Sequence, residues 1–362
     1  MSRRILFLVP YPLHESPSQR FRFEQYFDIL NDHGYAYTTQ SFLDSSNWKV
    51  FFKSGRPLTK VKTIVAGFAK RMIVLVKSPM YDFVFIHREV TPLGPPVFEW
   101  LLAKVFRRKI IYDFDDAIWL TDRLHEPWIL GLAKWRSKVA SISRWAHKVS
   151  CGNEYLCNYA ALYNKNVVYN PTTIDTVNLH NPALYKTINR APDTIRIGWT
   201  GSHSTLKYLK EIEVVLQRIL LDYPEAEFVV IADQAPSLKA VPSFKFVTWN
   251  SETEIQDLMQ IDIGIMPLPD DQWAKGKCGF KALQYMSLGN PAVASPVGVN
   301  SRIINQGVNG FLCSTPDEWE NAIRRLIEDP ELRKTMGENG RRTILENYSV
   351  LSNTGNFLSL FE

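Results

Sequence analysis

Apolar residues fall into two series of short runs, each run followed by a stretch with helical spacing. In the first series residues 4–10 are a strand, and residues 17–34 follow with Phe21, Tyr26, Phe27 and Leu30 spaced for a helix. The runs Phe83-Val84-Phe85-Ile86 and Ile110-Ile111-Tyr112 bracket a helical stretch at 96–106. Lys148-Val149-Ser150 and Val167-Val168-Tyr169 add two strands, and Asn170-Pro171-Thr172-Thr173 ends the series. Strands without polar alternation suit a parallel sheet covered on both faces. Residues 173–193 lack apolar periodicity and read as a linker. The alternation restarts at Ile195-Arg196-Ile197-Gly198-Trp199, with further strands at 228–231, 244–247, 263–266 and 291–294 and helices near 206–222, 252–260, 280–288 and 316–328. Two more helical patterns fill 331–362. The expected fold is α/β, with two doubly wound domains facing across a cleft: residues 1–172, the linker 173–193, residues 194–345, and a C-terminal helix at 346–362 that crosses back to the first domain.

Composition narrows the classes. With 362 residues, 45% hydrophobic and 22% charged, the chain is long enough for two cores and too apolar for disorder. Cys151, Cys157, Cys278 and Cys313 have neither CxxC spacing nor a histidine partner arrangement, so no metal site is expected and the thiols read as those of a reduced, cytoplasmic protein. The apolar start breaks at Pro10, too early for a signal peptide, and no run reaches the ~18 apolar residues of a membrane span.

Net charge is only +5, yet no acid occurs between Asp44 and Asp82, where Lys49, Lys53, Arg56, Lys60, Lys62, Lys70, Arg71 and Lys77 interleave with apolar residues. Two readings stand: an amphipathic stretch that rests on anionic lipid at the membrane periphery, or a solvated helix face whose apolar side is core. Nucleic acid is not an expected partner, since no recognised motif accompanies the basic run.

In an open parallel sheet ligands sit beyond the carboxyl ends of the strands, so the loops there are the places to look for chemistry. After Trp199 comes Thr200-Gly201-Ser202-His203-Ser204-Thr205, a hydroxyl-rich helix start able to cradle a diphosphate, though Ser and Thr are also ordinary helix caps. After Met266-Pro267-Leu268-Pro269 comes Asp270-Asp271-Gln272-Trp273-Ala274-Lys275-Gly276-Lys277-Cys278-Gly279-Phe280-Lys281. Lysines at a helix start oppose the helix dipole, which points to an anionic ligand that offsets them, with a solvated charge cluster as the alternative. In the first domain Asp113, Asp115 and Asp116 crowd the end of a strand, and His87-Arg88-Glu89 ends another. Arg20 and Arg22 follow the first strand's loop, placed to meet an anionic acceptor or a donor phosphate, or to lie as surface charges.

The run from Gly276 to Ser295, followed by Gly307-Val308-Asn309-Gly310-Phe311-Leu312, resembles the donor-binding half of family 4 glycosyltransferases. The resemblance is strong in the second half of the chain and weaker in the first. It implies a GT-B fold of two Rossmann-like domains, retention of configuration at the sugar carbon and no metal or cofactor beyond a nucleotide diphosphate sugar as co-substrate. The family's two glutamates fall at Gly276 and Gln284. Gln284 is thereby expected at the ribose, and the contact to the transferred sugar passes to Asp270 or Asp271. Backbone amides of Cys278, Gly279 and Phe280 are expected on the diphosphate. The family's Arg–Lys pair is replaced near Gly201 by His203 and Lys207, and Lys277 and Lys281 are assigned its charge-neutralising role. Trp249 falls where the base is held, there to stack on it or to sit in the core. The family's His-Asp pair falls at Asp115 and Asp116, implying contact with sugar and acceptor. Capping of the next helix, or pairing with Arg88, is the structural alternative.

The function expected is a retaining glycosyltransferase acting on a hydroxyl acceptor: a glycan, lipid-linked glycan or glycoprotein of a cell-envelope polysaccharide pathway. Its expected catalytic residues are Lys281, Lys277, Asp115 and Asp116. Donor contacts are expected from Gly201, Ser202, His203, Ser204, Trp249, Cys278, Gly279, Phe280 and Gln284, and sugar or acceptor contacts from Asp270, Asp271, Arg20, Arg88 and Glu89. A non-catalytic sugar-nucleotide binder and a nucleotide-sugar epimerase are the alternatives.

Overall fold

Six parallel strands form the first sheet: β1 (Arg3–Val9), β2 (Tyr35–Ser41), β3 (Phe83–His87), β4 (Lys109–Phe114), β5 (Lys148–Cys151) and β6 (Val167–Tyr169). Their order is β2-β1-β3-β4-β5-β6, so chain direction across the sheet reverses between β1 and β3. Six more parallel strands form the second: β7 (Ile195–Gly201), β8 (Ala226–Ala232), β9 (Lys245–Thr248), β10 (Ile263–Met266), β11 (Ala292–Ala294) and β12 (Gly310–Leu312). Read from β9 the order is β9-β8-β7-β10-β11-β12, the doubly wound arrangement of dinucleotide-binding sheets, with its switch point between β7 and β10. The computed structural model describes residues 3–51, 55, 57–121, 128–185, 194–241 and 243–362.

The chain divides into two units, Met1–Thr172 with Asn353–Glu362, and Thr173–Ser352. In the first, β1, β3 and β4 are buried almost throughout, and Phe7, Phe23 and Phe85 form an aromatic core on the sheet. In the second, Ile197, Trp199, Val230, Ile263, Ile265 and Val293 meet the inward stripe Trp319, Ala322, Ile323, Leu326 and Ile327 of the helix Pro316–Glu328.

Several boundaries differ from those the sequence suggests. Residues 173–185 are not linker: Ile174 is fully buried, bridges Ser349 and belongs to the second unit, while 186–193 lie outside the described residues. The return to the first unit starts at Asn353 rather than 346, and the tail is a short helix, Thr354–Leu358, not one long one. The stretch 17–34 is broken into Pro17–Arg20, a 3-10 turn Glu24–Tyr26 and Phe27–Asp32. Buried Gln19 and Glu24 accept the backbone N–H groups of Tyr11 and His14, drawing the loop after β1 down onto this stretch. The helix expected at 206–222 starts as ten residues of 3-10 helix, His203–Ile212, and becomes α-helical over Glu213–Asp222.

Candidate functional site

At the carboxyl end of β7 the buried Trp199 ring lies against the backbone of Gly201, where an added Cβ would stand 2.5 Å from the ring edge. Gly201 is therefore required by packing. Ser202 caps the following 3-10 helix: its carbonyl accepts from the Thr205 N–H at 2.9 Å, and its hydroxyl meets that of Ser204 at 2.8 Å. His203 is turned to Asp233, at the end of β8, which receives its backbone N–H at 2.6 Å and stands 2.5 Å from ring Nδ1. Asp233 is thus a site residue that sequence reasoning missed. Trp249, half-buried just past β9, donates its backbone N–H to Ala232 at 2.9 Å and so follows the same end of the sheet.

The helix Phe280–Ser287 is fixed to this end of the sheet. Gly279 precedes it in the left-handed conformation, φ 70°, with no room for a Cβ because Ile303 would stand 2.3 Å away. Tyr285 lies across Gly264 of β10, where a Cβ would come within 2.2 Å of its ring, and its hydroxyl accepts the Thr200 N–H at 2.9 Å. One turn earlier on the same face, Lys281 places its ammonium 5.3 Å above the Trp199 ring. Gly201, Trp199 and Lys281 are thereby brought together with the first turn of the helix, a cation and a helix N-terminus at the switch point of the sheet.

Other expected residues are placed differently. The Lys277 ammonium lies 5.0 Å over the Trp273 ring. Cys278 is buried, its thiol 3.9 Å from the Gly276 carbonyl. Phe280 opens the helix and is half-buried. Asp270 pairs with Lys275 at 3.0 Å, and Asp271 caps the short helix Gln272–Lys275 by accepting the Ala274 N–H at 2.7 Å. Asp271 therefore has a structural task that its position in the motif does not reveal. Gln284, expected at the ribose, is buried at 2% exposure, its amide donating to Glu254 at 3.2 Å and lying 3.5 Å from the His180 ring.

In the first unit Arg88, in the left-handed conformation with φ 61°, grips both carboxylates after β4. Its Nε donates to Asp115 at 2.9 Å and a terminal nitrogen to Asp116 at 2.9 Å. Burial would lower the guanidinium's pKa, but Asp115 and Asp116 outweigh it and hold it above its ordinary value. The pairing alternative for these acids is the arrangement found. Glu89 pairs with buried Lys138 at 2.6 Å, and the Arg20 guanidinium lies 5.0 Å over the Phe21 ring. Beneath them is a polar cluster that the sequence does not display. Arg22 is not a surface charge; it is buried, pairs with Asp113 and donates to the Asn170 carbonyl. Asp113 also accepts from His87 Nδ1 at 2.8 Å and from the Ser150 hydroxyl at 2.6 Å. Burial would raise the Asp113 carboxyl's pKa, but Arg22 and His87 drive it well below the usual carboxylate range. The signal available was spacing: Asp113, His87 and Ser150 stand at neighbouring register positions of β3, β4 and β5.

Residues 209–343 match the family model described as glycosyl transferases group 1. An uncharacterized glycosyltransferase of Methanocaldococcus jannaschii is 35% identical over 89 residues, 24% of this chain and 23% of that protein. The chain thus aligns with less than a quarter of the length of that curated relative. Two solved structures are similar over nearly the whole chain. Sucrose-phosphate synthase from Thermosynechococcus elongatus has a TM-score of 0.68 at 14% identity, over 100% of this chain and 98% of that one. Anabaena HepE in complex with UDP-glucose has a TM-score of 0.63 at 16% identity, over 98% and 99%. With two doubly wound units and these likenesses, the chain has a GT-B-like fold, and residues 209–343 of its second unit match the glycosyl transferases group 1 model.

Proposed function

We propose that this protein is a retaining glycosyltransferase that moves a sugar from a nucleotide diphosphate sugar to a hydroxyl acceptor of a cell-envelope glycan, lipid-linked glycan or glycoprotein. The observation that carries the reading is the Lys281 ammonium over Trp199, beside Gly201 and the first-turn amides after Gly279. A fixed cation and a set of N–H donors at a switch point suit a diphosphate, and the likeness to a fold that holds UDP-glucose in Anabaena HepE supports the same ligand class.

The chemistry assigned to this site is front-face departure. The bond from the sugar's anomeric carbon to the leaving phosphate oxygen breaks, its electron pair staying with the diphosphate. The acceptor oxygen bonds to that carbon from the same face, and its proton passes to the leaving phosphate. Charge grows on the diphosphate as this happens, so Lys281 and the helix amides contribute most in the transition state. We assign acceptor binding to the first unit, where Arg88 orients Asp115 and Asp116 as hydrogen-bond acceptors.

A thermal-shift screen with nucleoside diphosphates and their sugars is expected to raise the melting temperature, as any ligand of the folded state must. With the donor so identified, Lys281→Ala should lower turnover by about a hundredfold, the loss typical of one transition-state charge donor. Its melting curve without ligand should be unchanged. Kinetics equal to wild type would remove Lys281 from the mechanism. Binding without release of nucleotide, whatever acceptor is offered, would identify a non-catalytic binder instead.

A further inference from the structure

The helix Pro57–Lys77 is inverted with respect to an ordinary surface helix, which turns its apolar stripe to the core. Its buried positions are Thr63, Gly67, Arg71 and Leu75. Gly67 lets the Phe42 ring approach where a Cβ would stand 2.5 Å from it. Arg71 points inward and satisfies carbonyls at the carboxyl ends of β1 and β2 and beyond β3, donating to Val9 at 2.7 Å, Gln40 at 2.7 Å and Val90 at 2.8 Å. Burial pulls its pKa down to about 9. With the inward face taken by Thr63, Gly67, Arg71 and Leu75, a row of apolar residues points out: Leu58 (78% exposed), Val61, Val65 (62%), Met72 and Val76 (72%). Exposed Lys62 and Lys77 flank that stripe, and the helix contains no acid.

A second apolar surface lies on the same unit. Trp128 is 73% exposed, and Ile129, Leu132 and Trp135 are also open to solvent. The segment 90–94 ties the two surfaces together, since Arg71 holds the Val90 carbonyl and the Gly94 N–H donates to Ala133 at 2.7 Å. We propose that the outward face of Pro57–Lys77, together with the segment from Trp128 to Trp135, is a docking surface for an anionic lipid bilayer.

Charge selects this occupant. A second copy of the chain would set lysine edge against lysine edge, whereas anionic headgroups neutralise Lys62 and Lys77 while the stripe enters the acyl boundary. Exposed tryptophans suit the same depth, where the ring is half in hydrocarbon and the indole N–H reaches water. Among the described residues no helix is long and apolar enough to cross a membrane, and the lysines of Pro57–Lys77 suit a helix lying in the plane of the surface.

Co-flotation of the full chain with vesicles tests this. Vesicles of phosphatidylcholine mixed with phosphatidylglycerol should carry the protein at low ionic strength, and phosphatidylcholine alone at least about tenfold less. The double variant Val65→Asp/Met72→Asp should reduce flotation by at least about tenfold, because aspartate opposes insertion. Lys62→Glu/Lys77→Glu should do so most at low salt, where screening is weakest. All four side chains are exposed, so the melting curves should match wild type, and the lysine pair decides alone if the aspartates disturb folding. Failure to float with anionic vesicles, or flotation of both variants like wild type, would overturn the proposal. So would a dimer in light scattering that Val65→Asp/Met72→Asp disperses, which would make the face an interface between copies.

Discussion

Arg22, Asp113, His87 and Ser150 show how a single residue's role depends on what the sheet places beside it. Each is separated from the others along the chain, and parallel register brings His87 and Asp113 onto adjacent strands with Ser150 next in line. A buried carboxylate is costly unless paired, and here it has a guanidinium, an imidazole and a hydroxyl. Asp113→Asn should therefore cost about 3–5 kcal/mol in denaturant unfolding at neutral pH, since Arg22 is left buried without its counter-charge. The sign of the pH dependence follows from the depressed pKa of Asp113. Its contribution is present above the ordinary carboxylate value of about 4 and is lost as pH falls toward the folded value. The gap between wild type and Asp113→Asn should narrow on acidification, and a gap constant with pH would show that the charge is not what stabilises. Sequence reading found Asp113 crowded by Asp115 and Asp116, but the partners that resolve the crowding lie 25 residues or more away in the chain. The same blindness applies to Gln284, whose motif position suggests ribose and whose surroundings bury it against Glu254. Lys281 was legible because its neighbours, Gly279 and the helix it opens, are local; the Trp199 ring beneath it was not.

At the scale of elements, an apolar run made a strand readable, even in half-buried β6 and β9, and the lack of one hid it. β1, β3, β4, β8 and β10 are near-continuous apolar runs. β2, Tyr-Ala-Tyr-Thr-Thr-Gln-Ser at the edge of its sheet, is only half-covered and carries no such run. β12, also an edge, is three residues long and begins with glycine. Helices with their own caps were equally readable. Pro316–Glu328 begins at Thr315, whose hydroxyl accepts the Glu318 N–H at 3.3 Å, while Glu318 reaches back to the Thr315 N–H at 3.0 Å. Thr315→Ala should reduce stability by about 1 kcal/mol in urea unfolding, and an unchanged midpoint would mean that packing of Trp319 and Ile323 alone holds the helix. The helix Pro57–Lys77 defeats the same approach. Its periodicity is clear, but which side is core depends on Gly67 and Arg71, residues that pattern reasoning assigns to solvent or to no face at all.

For the whole molecule the decisive fact is that residues 353–362 belong to the same unit as residues 1–172. Residues 353–362 return to the first unit, and their aromatic side chains complete its core. Phe357 stacks on Tyr26 with ring centroids 4.1 Å apart, and Phe361 meets Phe83 at 5.7 Å, with Arg3 donating to its carbonyl at 3.0 Å. The second unit is in effect inserted between residues 172 and 353, so the first cannot complete its packing until the rest of the chain has been made. Deleting a buried phenylalanine side chain costs about 3–5 kcal/mol through lost burial and the cavity it leaves. Phe357→Ala should concentrate that loss in the first unit, to which its aromatic partners among the described residues, Tyr26, Phe85 and Phe361, belong. Calorimetry should show an early transition that nucleotide does not move, followed by a later one that the ligand of the second unit raises. A single transition, lowered as a whole and shifted as a whole by nucleotide, would mean instead that the two units unfold as one cooperative body.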